Sequence, residues 1–520
     1  MRNYLSFLLG LAFAFPQSLM FAAGKAEHVV VVVWDGMRPD AISRKHTPTL
    51  HKLAREGVMF ANHHSIFCTA TDVNGAAIAT GAYPANSGVI ANNDFFPLIN
   101  SNKPVKIATV AAIRKGDELT GGNFILRPTL AETLRAAGKS TAIAGTKMVA
   151  LLHDRDERDE GCGHICIHEG GTTPPGAIAS LTNVLGSFPR SVSGQTREAR
   201  DEWTRRALIE GLWSNGVPDY SLLWLSEPDA TQHATAPGSP LSIAAMESSD
   251  RQLAAVLAEL DRRNLRDKTD VFVVSDHGFN TVSQFVDVAA QLRQAGFSAR
   301  SEFTSPTTDG DVLVVPQSGA VLFFVTGRHA ETTARLVRFL QQQEFSGAIF
   351  TREPLPGTFS LESAHLNRPN PPDIVMSMRW SADKNKFGVP GMFYGTGSSR
   401  TDAGSYGSHA SLGRYDVHNT LVAAGPDFKR GFKNKLASAN TDLAPTILWI
   451  LGVPQQQPMD GRVLSEALTV KGPPVGKPVS KKLEATATND NVVWYQYLKT
   501  TQVNDTIYLD EANGRHQKQK

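Results

Sequence analysis

Five consecutive valines at positions 29–33, followed by Trp34 and Asp35, constrain this chain more than any other stretch. β-Branched side chains on both sides of an extended segment must be covered on both sides. The run therefore predicts a strand buried in a parallel sheet with helices against each face. The strand ends on a carboxylate, Asp35, and Gly36 lets the chain turn sharply. In open α/β sheets ligands collect outside the carboxyl ends of the strands, so an acid at this tip is a candidate site residue. Alone it serves equally well as a helix cap or a loop acid, and the other strand ends decide between these readings.

Along the chain, a helix from Pro48 to about Gly57 is capped by Thr47, and an apolar run over 58–67 leads into Cys68-Thr69-Ala70-Thr71-Asp72-Val73-Asn74. A small-residue helix, 75–80, ends at Gly81. A helix over 130–137 feeds a strand over 140–145, with Lys147 just beyond its tip. The charged, Gly/Pro/Ser-rich stretch 155–200 reads as a surface excursion. A second buried strand, 220–225, runs into Ser226-Glu227-Pro228-Asp229. After an amphipathic helix over 248–263, a third strand, 269–274, ends in Ser275-Asp276-His277-Gly278. Strand and helix alternate throughout, which predicts an α/β fold with a mostly parallel central sheet and helices on both faces. Residues from about 280 to 400 are Gly/Pro-rich around one strand (319–325) and one helix (330–343), and read as an inserted, cap-like smaller subdomain. The core resumes with a strand at 419–424 and a helix at 443–451. The main domain is expected over 24–470, with a polar C-terminal extension over 471–520.

Arg2, an apolar run over 4–15 and the small residues Ala22-Ala23-Gly24 give residues 1–23 the pattern of a cleaved signal peptide, and so predict a secreted or periplasmic protein. The apolar run is shorter than the ~20 residues of a spanning helix, and no later stretch is long and apolar enough to cross a membrane. A net charge of +2 gives no case for a stable nucleic-acid partner or an anionic membrane surface. Three cysteines allow at most one intramolecular disulfide. Cys162 and Cys166, within Cys162-Gly163-His164-Ile165-Cys166-Ile167-His168, read as a disulfide or a loop feature. Four ligands within seven residues cannot wrap one tetrahedral ion.

Three strand ends carry potential metal ligands: Asp35; Asp229 with His233; and Asp276 with His277. Each has a bland alternative as a polar turn or a solvated helix face, but their joint placement points to a site. Carboxylate plus imidazole suits zinc better than magnesium or calcium, and the number of ligands suits two ions rather than one. A two-metal site clamps an oxyanion and activates a nucleophile on the same rim. Thr71 occupies that rim, after a strand and before a helix whose N-terminal amides can face a phosphoryl oxygen. Without the ligands, Thr69, Thr71 and Asn74 would read simply as helix caps.

The order Asp35-Gly36, then Thr69-Ala70-Thr71-Asp72-Val73-Asn74 with Thr80-Gly81-Ala82-Tyr83-Pro84, then Glu227-Pro228-Asp229 with His233, then Ser275-Asp276-His277-Gly278, then Gly407-Ser408-His409, resembles the alkaline phosphatase superfamily. Within it the chain is most similar to the type I phosphodiesterase/nucleotide pyrophosphatase branch, over about residues 29–464. The resemblance implies that Asp229, His233 and His409 hold one zinc ion, and that Asp35, Asp276 and His277, with the Thr71 oxygen, hold a second. It further implies that Thr71 attacks phosphorus to give a phosphothreonine that water hydrolyses, and that Asn74 donates a hydrogen bond to a non-bridging oxygen. In some relatives a lysine placed like Lys147 binds extra phosphate charge. His409 occupies the Gly-x-His position of the pattern; spacing alone does not separate it from His418.

Two positions depart from the pattern: Val73 stands for the usual proline before Asn74, and Ser87 stands for a histidine after Pro84. A sulfatase reading fails, because the C-x-P-x-R motif would need proline and arginine where Ala70 and Asp72 stand. The expected function is an exported two-zinc hydrolase acting on a small phosphate diester or nucleotide pyrophosphate. A phosphomonoesterase or phosphonate hydrolase of the same superfamily is the alternative, and a non-catalytic metal-binding secreted module is the remaining one.

Overall fold

A computed structural model describes residues 24–156, 164–303, 306–397, 404–489 and 491–518. The signal-peptide stretch 1–23 and Cys162 lie outside the described residues, while Cys166 is buried. Nine strands form the main sheet: β1 (His28–Trp34), β2 (Val58–Phe60), β3 (Thr141–Gly145), β4 (Cys166–His168), β5 (Gly171–Thr173), β6 (Tyr220–Leu225), β7 (Thr269–Val274), β8 (Leu421–Ala424) and β9 (Phe432–Asn434). Their spatial order is β9-β2-β8-β7-β1-β6-β3-β4-β5. All run in one direction except β8, antiparallel to β7 and β2, and β5, antiparallel to β4. The expected α/β architecture is present as a large mixed sheet with a parallel centre.

The valine run is the middle of this sheet, hydrogen-bonded to β7 on one side and β6 on the other. Its residues alternate between two cores. Val29, Val31 and Val33 pack with Val73, Ala76 and Ala77 of the helix Thr71–Thr80 and with Leu443 and Ile447 beyond it. Val30, Val32 and Trp34 pack on the opposite side with Trp203, Leu253 and Val256. The side chain of each of the five valines is fully buried, worth about 1.5–3 kcal/mol per residue relative to exposure. A one-residue slip would exchange the two faces, so the register that sets Asp35 at the tip is strongly specified.

Several segments differ from the sequence expectation. The stretch expected as a surface excursion contributes β4 and β5 to the sheet edge, three residues each, too short to show a period. The helix expected at 248–263 begins earlier, at Pro240, where Ser239 caps it by accepting the Ser242 N–H. The 280–397 region contains a six-stranded sheet built on Val312–Pro316, Ala320–Val325, Ile374–Met378 and Ser346–Thr351, and a smaller one on Asn280–Val286 and Pro390–Thr396. The C-terminal stretch read as a polar extension folds as an antiparallel meander, β10 (Val479–Asn489), β11 (Val492–Val503) and β12 (Thr506–Lys518). Its inner face is anchored: Trp494 donates to the Gly357 carbonyl (3.0 Å) and the Gln496 amide pairs with both backbone groups of Ile349 (2.8 and 3.1 Å). Among the described residues, no helix is long and apolar enough to cross a membrane.

Candidate active site

Four neighbouring strands, β7, β1, β6 and β3, deliver Asp276 with His277, Asp35, Asp229 and Lys147 at the same end of the sheet. The tips approach closely: the Asp229 N–H donates to the Asp35 carbonyl at 2.9 Å. Gly36 has φ +72°, and a Cβ there would lie 2.9 Å from the Asp229 side chain, so this turn requires glycine. Asp276 uses one oxygen, Oδ1, to accept the Gly36 and His277 amides (3.0 Å each). Trp224 donates its indole N–H to Asp35 Oδ2 at 2.8 Å. The remaining oxygens, Asp35 Oδ1, Asp229 Oδ1 and Asp276 Oδ2, are buried and receive no hydrogen bond. Unpaired buried carboxylate oxygens are costly, and three of them at adjoining strand tips are suited to cations.

The histidines complete it. His277, His409 and His233 each place Nδ1 against a backbone carbonyl: Gly278 (2.9 Å), Thr69 (2.8 Å) and Gly407 (3.1 Å). A carbonyl can only accept, so each Nδ1 carries a proton and each Nε2 faces inward. His277 Nε2 lies 3.2 Å from Asp276 Oδ2 and 3.6 Å from Asp35 Oδ1; His233 Nε2 and His409 Nε2 lie 3.2 and 3.6 Å from Asp229 Oδ1. The Nε2 lone pairs of His277 and His409 facing carboxylate oxygens fit a divalent cation, while against its burial the neighbouring Asp229 raises His233 above the usual histidine range. Backbone carbonyls orienting the distal nitrogen are the usual outer support of metal-binding histidines. Ligand atoms gather in two overlapping groups, Asp35–Asp276–His277 and Asp229–His277–His409. The second draws in His277 where the sequence reading has His233, which sits beside Asp229 as the most open member, its side chain 42% exposed. His418 is elsewhere, its ring 4.7 Å from His64, so the geometry separates the two histidines that spacing leaves together.

Thr71 is the first residue of the helix Thr71–Thr80, α1, and its Oγ1 lies 3.3 Å from His277 Nε2. Gly75 lets this helix sit against β6 and the segment beyond β3, since a Cβ would meet Val149 at 2.3 Å. Asn74, expected to donate to a substrate oxygen, sits in a closed set of hydrogen bonds. It is fully buried, and both of its amide N–H groups are engaged, with the carbonyls of Ile66 (3.0 Å) and Ala70 (3.1 Å). Its Oδ1 accepts the Ile66 N–H (2.7 Å) and the Asn440 amide (2.9 Å). It has no donor left for a substrate oxygen and instead clamps the turn that carries Thr71. Asn92, which the sequence analysis does not single out, meets the residue that follows Thr71. Its Oδ1 accepts the Asp72 N–H at 2.8 Å, which sets the carboxamide beside Thr71. Among the described residues its Nδ2 donates to nothing. Standing 21 positions after Thr71 in Ala91-Asn92-Asn93-Asp94, it carries no local motif that could have exposed it.

Lys147 also differs from expectation. Its ammonium is paired with Asp35 Oδ2 (2.9 Å) and Asp229 Oδ2 rather than turned to open space as a cation for substrate phosphate. The electrostatics follow. Burial and the neighbouring Asp276 push Asp35 well above the usual carboxylate range, and burial pushes Asp276 up to about 7. Burial acts the same way on Asp229, but Lys147 and His233 beside it hold it well below that range. Burial lowers His277 and His409, which are therefore neutral and able to ligate.

The family model described as type I phosphodiesterase / nucleotide pyrophosphatase matches residues 29–383. Human ectonucleotide pyrophosphatase/phosphodiesterase family member 5 is 22% identical over 430 residues, spanning 82% of this chain and 75% of the relative. Bis(5'-adenosyl)-triphosphatase enpp4 of Xenopus laevis is 21% identical over 434 residues, spanning 82% of this chain and 78% of the relative. The structure of murine ectonucleotide pyrophosphatase/phosphodiesterase 5 superimposes with a TM-score of 0.59 at 19% identity, covering 85% of this chain and all (100%) of that one. An inactive variant of the same murine protein, in complex with AMP, gives a TM-score of 0.58.

Proposed function

Since the chain belongs to the type I phosphodiesterase/nucleotide pyrophosphatase family, hydrolysing phosphodiester or pyrophosphate bonds, we propose that it does so through Thr71, on a small nucleotide-like substrate, after export from the cytoplasm. The observation that carries this reading is the set of three Nδ1-anchored histidines and three unpaired carboxylate oxygens facing one another beside the Thr71 hydroxyl. Asp35, Asp276 and His277, with Thr71, would hold one zinc ion, and Asp229, His233 and His409 the other. When bound, such ions supply Lewis-acid stabilisation of phosphoryl oxygens and lower the pKa of an attacking hydroxyl.

The residues divide the remaining work. Thr71 Oγ1 forms a bond to phosphorus as the bond to the leaving group breaks, giving a phosphothreonine. Asn92 Nδ2 and the free amides at the N-terminus of α1 donate to a non-bridging oxygen there, where negative charge grows. Water then hydrolyses the phosphothreonine, releasing the phosphoryl product and restoring the hydroxyl. Asn74 holds the turn in place but does not touch substrate. The open side chain of His233 marks the side from which substrate enters. The AMP bound to the murine relative supports a nucleotide on this site, and the pattern of residues 1–23 supports export.

Thr71→Ala should remove turnover of a nitrophenyl phosphodiester while leaving the urea unfolding midpoint unchanged; near-wild-type turnover rejects the assignment. EDTA should abolish activity and zinc should restore it, with about two zinc ions per chain by elemental analysis. A diester should be preferred over the corresponding monoester.

A further inference from the structure

The outer face of the C-terminal meander carries no role in the chemistry above, yet its composition is distinctive. Alternation along β11 sends Trp494, Gln496 and Leu498 inward and Tyr495, Tyr497 and Lys499 outward. Register brings Lys482 of β10 beside Lys499, and Arg515 of β12 beside Tyr495. The cations lie over the rings: the Lys482 ammonium is 5.8 and 5.5 Å from the centroids of Tyr495 and Tyr497, Lys499 is 5.6 Å from Tyr497, and the Arg515 guanidinium is 5.1 Å from Tyr495. Arg379 and Arg414 extend the surface around a shallow cavity of about 480 Å³. Glu511, Glu484 and Glu344 pin four of these five cations. Arg515 has no carboxylate partner among the described residues. Five cations against three carboxylates leave an excess of two positive charges on one face.

We propose that this face binds single-stranded nucleic acid. A β-sheet presenting aromatic rings between basic side chains is the arrangement that stacks bases and tracks phosphates. The two tyrosines stand two residues apart on one strand, about 7 Å, and neighbouring strands are about 4.8 Å apart. The face is therefore large enough for a few nucleotides rather than one. An anionic membrane fits less well: the outward neighbours of the two tyrosines, Lys482, Glu484, Thr486, Asn513 and Arg515, are polar, and of the aliphatic side chains only Val493 shares their outward alternation along β11. The near-neutral charge of the whole chain hides the patch, because its cations are spread over three strands, a loop and a short helix. Arg414 lies five residues after His409, so at most about 18 Å of chain separates patch from active site. The binding does not depend on the Thr71 chemistry.

The test is fluorescence anisotropy of a labelled short oligothymidylate with the full chain, recovering the oligonucleotide afterwards on a denaturing gel so that cleavage is read separately. Binding should weaken from about 50 to about 200 mM salt with a log–log slope of about −1.4 to −3.5, at about −0.7 per cation engaged. Lys482→Glu with Arg515→Glu, both exposed, should weaken it at least tenfold. Tyr495→Leu with Tyr497→Leu should weaken it at least about fivefold without changing the slope. Unfolding midpoints confirm that the variants fold, and Arg515→Gln alone replaces any that does not. No binding at low salt, or unchanged binding in both double variants, overturns the proposal. So does dextran sulfate binding as tightly with indifference to the tyrosine change, which would identify a surface for anionic glycans.

Discussion

Replacing Asn74 with alanine separates two roles that sequence cannot. The side chain is fully buried and makes four hydrogen bonds, to the Ile66 N–H and carbonyl, the Ala70 carbonyl and the Asn440 amide. In the variant Ala70 keeps its helical partner, the residue 74 N–H (3.0 Å), and Asn440 keeps the Asp276 carbonyl (2.7 Å). The Ile66 N–H and carbonyl are left buried and unpaired, at about 1–3 kcal/mol each, so the loss should be about 2–6 kcal/mol. That is a large fraction of the stability of a typical domain. Urea titration followed by tryptophan fluorescence should show the midpoint falling accordingly, with and without a phosphate ligand present. Asn92→Ala should shift the balance the other way. It frees one buried N–H, that of Asp72, so stability should fall by only about 1–3 kcal/mol, while kcat falls about 10²–10³-fold as expected for a lost oxyanion donor. An Asn74→Ala protein that unfolds at the wild-type urea concentration but turns over a hundred times more slowly would refute this assignment.

Trp224→Phe removes the indole N–H from Asp35 Oδ2 and should lower zinc affinity about 10–100-fold in competition with a chromophoric chelator; a change under twofold would make the contact purely structural. Lys147→Met removes an ammonium whose charge lies on the Asp35 and Asp229 carboxylates, competing with any cation at their other oxygens, and should tighten zinc binding at least about tenfold in the same assay. His153 is buried against Trp224, and burial lowers its pKa to about 3. The unfolded chain, with histidine near 6.5, binds this proton first, so the contribution is full above pH ~6.5 and lost at about 1.4 kcal/mol per pH unit as pH falls toward 3. His153→Phe should flatten the stability–pH curve by that slope between pH 6 and about 4; parallel curves for the two proteins would show His153 already titrating normally.

What sequence revealed, and what it concealed, follows from the range of the interactions involved. Asp35, Asp229 and Asp276 with His277 stand at the ends of apolar runs whose burial is written in their own composition, so both the strands and the acids at their tips were legible. Thr71 stands out in sequence only beside those ligands; the structure starts the helix at Thr71 itself, four residues before the expected 75. Asn74 is ambiguous in sequence because a Thr-x-x-Asn spacing is equally compatible with a substrate donor and with a clamp; its partners, Ile66 and Asn440, are fixed only by the fold. Lys147 was placed at the correct strand tip, but its distance to Asp35 depends on the order of β1, β6 and β3, which no local pattern encodes. The meander was hidden by its polarity: Trp494, Gln496 and Leu498 alternate inward between tyrosines and a lysine, and averaging over the stretch erased the period of two.

The last strand also sets an order of events. The loop that holds His409 is fastened by β12, where the Ala512 N–H donates to the Leu412 carbonyl (2.9 Å), and Asp510 meets His64 while Tyr508 meets Asp442. Leu412 and Ala512 are a hundred residues apart in the chain. During synthesis the parallel sheet can form on the ribosome long before this strap emerges, because domains assemble from the N-terminal side as they appear. A product arrested before residue 506 would carry every candidate metal ligand and still lack the fastening of the histidine that completes the set. On the proposed reading, full assembly of the ligand set would then wait for this strand.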